Sequence, residues 1–155
     1  MIRTKLLFVC LGNICRSPTA EGVMLKMLAD AGTELSARVD VDSCGTAAYH
    51  VGDAPDARTI AHARKRGYDL GPLRARVLTD ADFMLFDRIY AMDQNNLRSL
   101  QRVAPREQHP KLALLLDVLG PHGREVPDPW AGGPEDFELV LDLVESACGH
   151  LVKSL

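Results

Sequence analysis

Hydrophobic and polar positions along the chain form blocks that alternate between two periodicities. The apolar run at 5–10, bounded by charged residues and a glycine turn, is typical of a buried parallel strand. The next apolar residues recur at intervals of three and four from Ala20 to Ala31. This spacing predicts a helix that begins near Pro18 and stops at Gly32.

The alternation of strand and helix patterns continues to the end of the chain. Further strands are predicted at 39–44, 88–92 and 111–116, and further helices at 55–66, at 79–86, after Asp93 (through Leu97 and Leu100) and from about Pro134. A loop rich in proline and glycine covers 120–133. The pattern predicts one α/β domain over 1–155, with a four-stranded parallel sheet flanked by helices on both faces.

Composition narrows the possible functions. The chain has 155 residues, 46% hydrophobic and 25% charged, as expected for one globular domain. A net charge of -3 gives no reason to expect nucleic acid as a partner, and no apolar stretch is long enough for membrane insertion. The start of the chain lacks a signal-peptide pattern, which predicts a cytoplasmic protein with reduced cysteines. Because Cys10, Cys15, Cys44 and Cys148 do not have zinc-site spacing, no metal or other cofactor is predicted.

The segment after the first strand carries the strongest chemical signal. It reads C-L-G-N-I-C-R-S over 10–17 and leads into the first helix, where free backbone N–H groups and the helix dipole favour an anion. Gly12 and Asn13 tolerate positive φ angles, so the loop can turn its N–H groups inward. Arg16 can hold two phosphate oxygens with its planar guanidinium group. Ligands of parallel sheets bind at the carboxyl ends of strands, which is where this loop lies.

Cys10 is the candidate nucleophile of this loop. A helix N-terminus and a neighbouring arginine favour the thiolate form of cysteine, which can attack the phosphorus of a bound ester. The same donors can stabilise the oxygens of the transferred phosphoryl group. Ser17 can donate a hydrogen bond to the thiolate, which helps the thiolate to leave in the second step.

A leaving phenolate needs a proton, and Asp128 is the candidate donor. It lies between two prolines in P-D-P-W at 127–130, in the loop after the fourth predicted strand, and should project from the same edge of the sheet as Cys10. From the residues alone, an ordinary Asp-Pro turn explains this segment equally well.

At this point the sequence resembles the low-molecular-weight protein tyrosine phosphatases. The loop at 10–17, followed by P-T-A-E, resembles the signature loop of that family. The S-C-G-T turn at 43–46, the segments around 82–87 and 91–97, and Asp128-Pro129 resemble further family segments. The resemblance therefore extends over almost the whole chain.

The resemblance implies roles for individual residues. Cys10 is expected to be the nucleophile, Arg16 the phosphate ligand, and Asp128 the general acid that later activates water. Asn13 is expected to shape the loop with Ser43 as its partner, and Cys15 to form a reversible disulfide with Cys10. The substrate-binding set is expected to comprise Leu11, Gly12, Asn13, Ile14, Cys15, Ser17, Tyr49 and Trp130.

Leu11, Tyr49 and Trp130 are the predicted walls of a slot for an aromatic ring. A deep slot favours phosphotyrosine because the shorter phosphoserine ester cannot reach the loop at its base. An exposed Tyr49 without a role is the alternative interpretation. The resemblance also implies a phosphotyrosine-containing protein as partner, such as a bacterial tyrosine kinase, and a monomer or weak dimer.

The sequence departs from the family pattern at four positions. Trp130 and Ala131 stand where the family often has one or two tyrosines, so tyrosine phosphorylation in this loop cannot regulate the protein. Leu73 and Val77 stand where the family has histidine and glutamine. The support that those two side chains give to nearby loops must come from elsewhere in this chain.

Three other functions fit parts of the pattern. An arsenate reductase of the same fold needs a cysteine pair near 80–92, where this chain has no cysteine. A protein arginine phosphatase carries threonine in place of Ile14. A phosphate-binding module without activity is the third alternative, although Cys10, Arg16 and Asp128 are all present.

Overall fold

The computed structural model describes residues 2–155 and contains the predicted alternation of strands and helices. The strands are β1 (Thr4–Cys10), β2 (Val39–Gly45), β3 (Arg88–Ala91) and β4 (Leu112–Leu114). The α-helices are α1 (Arg16–Ala31), α2 (Thr33–Arg38), α3 (Ala57–Lys65), α4 (Asp82–Leu85), α5 (Gln94–Val103) and α6 (Pro134–Ser154). Two 3₁₀ helices lie at Arg106–Lys111 and Leu115–Leu119.

The four strands form one parallel sheet in the order β2-β1-β3-β4, which confirms the predicted fold class. The strand order reverses at β1, since the chain first moves outward to β2 and then returns to the other side of β1 to form β3. A crevice forms at the carboxyl ends of the strands at such a reversal. Cys10 is the last residue of β1 and pairs with Gly45, the last residue of β2, so both lie at this crevice.

Side chains of β1 alternate between two hydrophobic cores, one on each face of the sheet. Leu6 and Phe8 pack in the core that also contains residues of α1 and α6. Leu7 and Val9 pack on the opposite face with residues of α4 and α5. This period of two is the expected consequence of a strand buried on both faces.

The fourth strand is shorter than predicted, because the strand pairing ends at Leu114 instead of Leu116. In a continued strand, Leu114 and Leu116 would point to the same face. Leu114 instead packs in the core beside α5, whereas Leu115 and Leu116 both pack in the core beside α6. A turn of 3₁₀ helix brings these two consecutive leucines to one side, which a period of two cannot do.

Helix α2 was not predicted, because it has no buried residue and therefore no apolar stripe. The other predicted elements are present with bounds that differ by a few residues. No helix among residues 2–155 combines the length and the apolar character that crossing a membrane requires.

Candidate active site

Neighbouring segments fix the loop between β1 and α1 by donating hydrogen bonds to its carbonyl groups. The carbonyl oxygens of Cys10 and Leu11 accept hydrogen bonds from Thr46 and Ala47 at 2.9 and 3.0 Å. Further along, the carbonyl oxygen of Ile14 accepts from the backbone of Asp56 at 2.9 Å. The loop is therefore fastened to the segment after β2 and to the start of α3.

The N–H groups of the same loop are left without partners. Among the described residues, the backbone N–H groups from Gly12 to Cys15 find no acceptor within the protein. Asn13 has a φ angle of 57°, the left-handed conformation that curls a loop around its own N–H groups. With α1 beginning at Arg16, these donors and the helix N-terminus form a cup for an anion.

Gly12 differs from the expectation, since its φ angle is not positive. Close packing explains the glycine instead. A Cβ atom at this position would lie 3.1 Å from Cδ2 of His50, which is tighter than an ordinary contact. The ring of His50 therefore lies against the loop and lines the pocket, where the sequence made it a weak candidate for the rim.

Cys10 lies at the base of the cup and contacts a buried chain of hydrogen bonds. Its Sγ atom lies 3.0 Å from Oγ of Ser17. The amide nitrogen of Asn13 donates to Ser17 at 2.8 Å and to Oγ of Ser43 at 2.9 Å. Because Ser17 already accepts from Asn13, its own proton is available for the sulfur, the nearer of its two possible acceptors.

Glu21 ends this chain of hydrogen bonds. Its carboxylate accepts from Oγ of Ser43 at 2.6 Å, in a buried position on α1. Burial raises the pKa of Glu21 to about 7, and the nearby charge of Asp42 acts in the same direction. The hydrogen bond from Ser43 and the positive charge of Arg76 oppose this rise.

Arg16 is almost completely buried, with 3% of its surface exposed, and is held on one side. Its Nη1 atom donates to Oδ2 of Asp93 at 2.6 Å and to the carbonyl oxygen of Val126 at 3.0 Å. Asp93 also caps α5, because its other oxygen accepts from the backbone of Asn96 at 2.7 Å. The cap thus fixes the carboxylate that orients the arginine.

Asp128 lies across the cup from Cys10. One of its oxygens is 3.7 Å from Nη2 of Arg16, and its side chain is about half exposed. Its other oxygen accepts from the backbone of Trp130 at 3.1 Å. Arg58 donates to the carbonyl oxygen of Trp130 at 3.0 Å and pairs with Asp56. The start of α3 therefore contacts both the loop of Asp128 and the loop between β1 and α1.

Most of the predicted site residues line one pocket of about 140 Å³. Tyr49 and Trp130 stand at its mouth, with 75% and 58% of their surfaces exposed. The lining consists of Cys10, Leu11, Gly12, Ile14, Cys15, Arg16, Tyr49, His50, Asp128 and Trp130. Three predicted residues, Asn13, Ser17 and Ser43, lie behind the lining in the hydrogen-bonded chain.

Cys15 is a free thiol beside the cup. Burial raises its pKa to about 12, and the nearby carboxylates of Asp56 and Asp128 add to the effect. Its sulfur is therefore protonated at neutral pH.

In the described part of the chain, no cluster of histidine, cysteine and acidic side chains could hold a metal ion.

Sequence reasoning missed several supporting residues. It used Asp93 only to mark the start of a helix and gave no role to Arg58 or Glu21. Glu21 is the sixth residue of α1 and the last of the P-T-A-E segment that resembles the family signature, and a carboxylate on a buried helix face needs a partner. Of the residues that depart from the family pattern, Leu73 packs against the core and Val77 forms a bridge to Gly45.

Comparison with known proteins points to one family. The family model described as low molecular weight phosphotyrosine protein phosphatase matches residues 5–155. A low molecular weight phosphotyrosine protein phosphatase of Schizosaccharomyces pombe is 47% identical over 144 residues, covering 91% of this chain and 90% of that relative.

Two solved structures are similar along almost their whole length. A protein tyrosine phosphatase of Entamoeba histolytica with Hepes in the active site superposes with a TM-score of 0.91 at 39% identity, covering 97% of this chain and 96% of the other. Wzb of Vibrio vulnificus in complex with benzylphosphonate superposes with a TM-score of 0.86 at 31% identity, covering 98% and 99%.

Proposed function

Because this chain belongs to the low molecular weight phosphotyrosine protein phosphatase family, we propose that it hydrolyses phosphotyrosine through a covalent phosphocysteine on Cys10. Its relatives are named as protein-tyrosine phosphatases, which are hydrolases of phosphate monoesters. The single observation that carries the residue assignment is the convergence of a buried sulfur, unpartnered N–H groups and Arg16 in one cup.

In the first step, Sγ of Cys10 attacks the phosphorus. The phosphoryl oxygens are held by the backbone N–H groups from Gly12 to Cys15 and by the guanidinium group of Arg16. The S–P bond forms as the bond from phosphorus to the phenolic oxygen breaks. Asp128 gives its proton to that oxygen, so tyrosine leaves as a neutral phenol. Hydrogen bonds that strengthen as charge spreads over the phosphoryl oxygens lower the barrier.

In the second step, Asp128 is a carboxylate and takes a proton from water. The resulting hydroxide-like oxygen attacks the phosphorus, the S–P bond breaks, and inorganic phosphate is formed. The electron pair of that bond returns to Cys10. The hydroxyl group of Ser17, whose Oγ lies 3.0 Å from Sγ, donates a hydrogen bond that stabilises the thiolate.

The pocket supports an aryl ester as substrate. The cup lies at the base of the pocket, and Leu11, Tyr49 and Trp130 flank the way in. The similar Wzb was solved in complex with benzylphosphonate, in which one methylene group joins a phosphonate to an aromatic ring, and this supports an aryl phosphate as the substrate here. The partner is thus a protein that carries phosphotyrosine. A bacterial tyrosine kinase as that partner, a cytoplasmic location and a monomeric or weakly dimeric state stay predictions.

The test is the hydrolysis of p-nitrophenyl phosphate in the presence of a chelator. We expect wild-type activity to survive the chelator, Cys10→Ser to be inactive, and Asp128→Asn to be slowed by about 10²–10⁴-fold. Cys148→Ala serves as the cysteine control, because this thiol is buried in the core between α1 and α6. Trapping after rapid mixing should give one phosphate bound per chain. Full activity in Cys10→Ser, or its loss with the chelator, would contradict the proposal.

A further inference from the structure

A second groove begins where the pocket of Cys10 ends. The two cavities share Leu11, which is 45% exposed and lines both of them. The groove has a volume of about 510 Å³, and its apolar lining comes from Leu11, Ala47, Leu78 and Val103. We call this cavity the α5 groove, because Val103 and its neighbours on α5 form its outer side.

The floor of the α5 groove is fixed by backbone hydrogen bonds. Ala47 donates to Leu11 at 3.0 Å, and Leu78 donates to Gly45 at 2.9 Å. Gly45 also bridges to Val77. The groove is therefore already formed beside the phosphate loop, and a bound chain would lose little affinity to reorganisation.

The outer side of the groove exposes apolar surface. Val103 is 57% exposed at the last position of α5, on a helix whose polar residues otherwise cover the surface. Leu11 and Val103 both line the groove, and Leu11 also lines the pocket of Cys10. Exposed apolar side chains grouped beside an active site are characteristic of a binding surface.

Beyond the groove, two arginines of α5 extend the surface. Arg102 and Ser99 line both the α5 groove and the next depression, which also includes Arg98. Arg98 donates to Asn95 and Arg102 to Ser99, which are neutral partners. Within residues 2–155, neither guanidinium forms an ion pair with a carboxylate. Their charge is available to an acidic partner, with Asp80 as the one acid on the groove's edge.

We propose that the α5 groove binds the substrate polypeptide beside its phosphotyrosine, taking an apolar side chain between Leu11, Leu78 and Val103 and an acidic side chain at Arg98 and Arg102. The inference rests on the proposed function and adds to it a sequence preference for the substrate. The argument is continuity: a chain whose phosphotyrosine enters the pocket passes over its rim, and Leu11 is common to both cavities. Pockets for neighbouring side chains are a general means of peptide selection.

The experiment measures binding of wild-type protein to peptides that carry a non-hydrolysable phosphonate analogue of phosphotyrosine. Leucine is scanned through the three positions on each side against a serine background, and aspartate is scanned in the same way. We expect leucine at one position to lower Kd by about 3- to 10-fold, as partial burial of one apolar side chain predicts. We expect aspartate at a more distant position to lower Kd by about 3-fold, less so at high salt.

Variants link these preferences to the groove. Val103→Asp should reduce the ratio of Kd values between the serine and leucine peptides to less than twofold. The double variant Arg98→Gln, Arg102→Gln should remove the preference for aspartate. Leu25→Asp and Arg64→Gln, which are exposed positions on α1 and α3, are the matched controls and should keep both preferences. The absence of any preferred position, or a leucine preference that survives in Val103→Asp, overturns the proposal.

The two proposals fail in different ways. A chain that hydrolyses p-nitrophenyl phosphate but binds all peptides equally disproves the groove alone. A chain that binds the peptides with the expected preferences but does not turn over p-nitrophenyl phosphate disproves the proposed hydrolysis and leaves the groove standing.

Discussion

The backbone N–H of Arg76 donates to Oδ1 of Asn13 at 3.0 Å, and this contact sets the orientation of the Asn13 amide. With its oxygen occupied, the amide must direct its nitrogen toward Ser17 and Ser43. Ser17 then accepts from Asn13 and keeps its proton for Cys10. A backbone group more than sixty residues away thus decides which hydrogen bond the sulfur receives.

Replacement of Asn13 separates its side chain from its backbone conformation. Asn13→Ala should lower kcat/KM by about 10–100-fold, because Ser17 and Ser43 lose a common donor, and should also strain a residue with a φ angle of 57°. Asn13→Gly removes the same donor without that strain. Chemical denaturation should find Asn13→Gly more stable than Asn13→Ala by about 1 kcal/mol, with similar activity losses in both. Near-normal activity in Asn13→Gly would show that only the backbone conformation matters.

The two carboxylate oxygens of Asp93 have separate roles, since one accepts from Arg16 and the other caps α5. Substitutions there should therefore separate effects on activity from effects on stability. Asp93→Ser keeps a capping side chain for α5 but removes the partner of Arg16, so kcat/KM should fall by about 10–100-fold. Asp93→Ala loses the cap as well and should be about 1 kcal/mol less stable than Asp93→Ser. Phosphate inhibition constants should weaken equally in both variants. A normal inhibition constant in Asp93→Ser would mean that Val126 alone suffices to orient the arginine.

Gly45 should tolerate no side chain. A Cβ atom there would lie 2.7 Å from the carbonyl oxygen of Leu11 and 3.1 Å from the backbone of Gly12, so Gly45→Ala must displace the phosphate loop. We expect a loss of about 2 kcal/mol in unfolding free energy and a large fall in kcat. Gly149→Ala in α6 is the control, since nothing lies within 4 Å of its added Cβ, and it should gain up to about 1 kcal/mol. Equal stability of the two variants would argue against the close approach at Gly45.

Glu21 should make stability depend on pH. Its pKa is raised by burial from an ordinary 4.5 to about 7, so the folded state binds this proton more tightly than the unfolded state. The stabilisation from that proton is fully present below about pH 4.5 and is lost as the pH rises to about 7, a change of about 3 kcal/mol.

Glu21→Gln should remove this dependence while its side-chain oxygen still accepts from Ser43. Its melting temperature should exceed that of the wild type at pH 8 and approach it at pH 5. Glu34→Gln, on the exposed surface of α2, should follow the wild type at both values. A constant difference between Glu21→Gln and the wild type across this range would refute the assignment.

Much of the fold could be predicted from the sequence, because strands buried on both faces and helices with one apolar face have distinct periods. The run that ends at Cys10 and the stripe from Ala20 to Leu28 belong to elements now seen as β1 and α1. The end of β4 could not be predicted in this way. An unbroken run of leucines does not reveal where neighbouring side chains stop alternating between two cores.

The chemical groups of the candidate site were also visible in the sequence, whereas their supports were not. Cys10, Arg16 and Asp128 occur in compact motifs whose residue types suggest a reaction. The contacts from Arg76 to Asn13 and from Arg16 to Val126 involve backbone atoms, which every residue has, and so leave no trace in residue identity. Glu21 and Ser43 meet only after two distant segments pack together.

The position of β1 has a consequence for how the protein fails under stress. This strand pairs with β2 from Thr4 to Cys10 and with β3 from Leu6 to Val9, so neither of its edges is open to solvent along that shared stretch. Amide hydrogens there should exchange only on global unfolding, whereas the segment of Asp128 is exposed on the surface. Under mild denaturation Asp128 is therefore displaced before the sulfur. Esters of acidic phenols, whose departure depends least on a proton donor, should then release about one phenol per chain and stop, because hydrolysis of the phosphocysteine still needs Asp128.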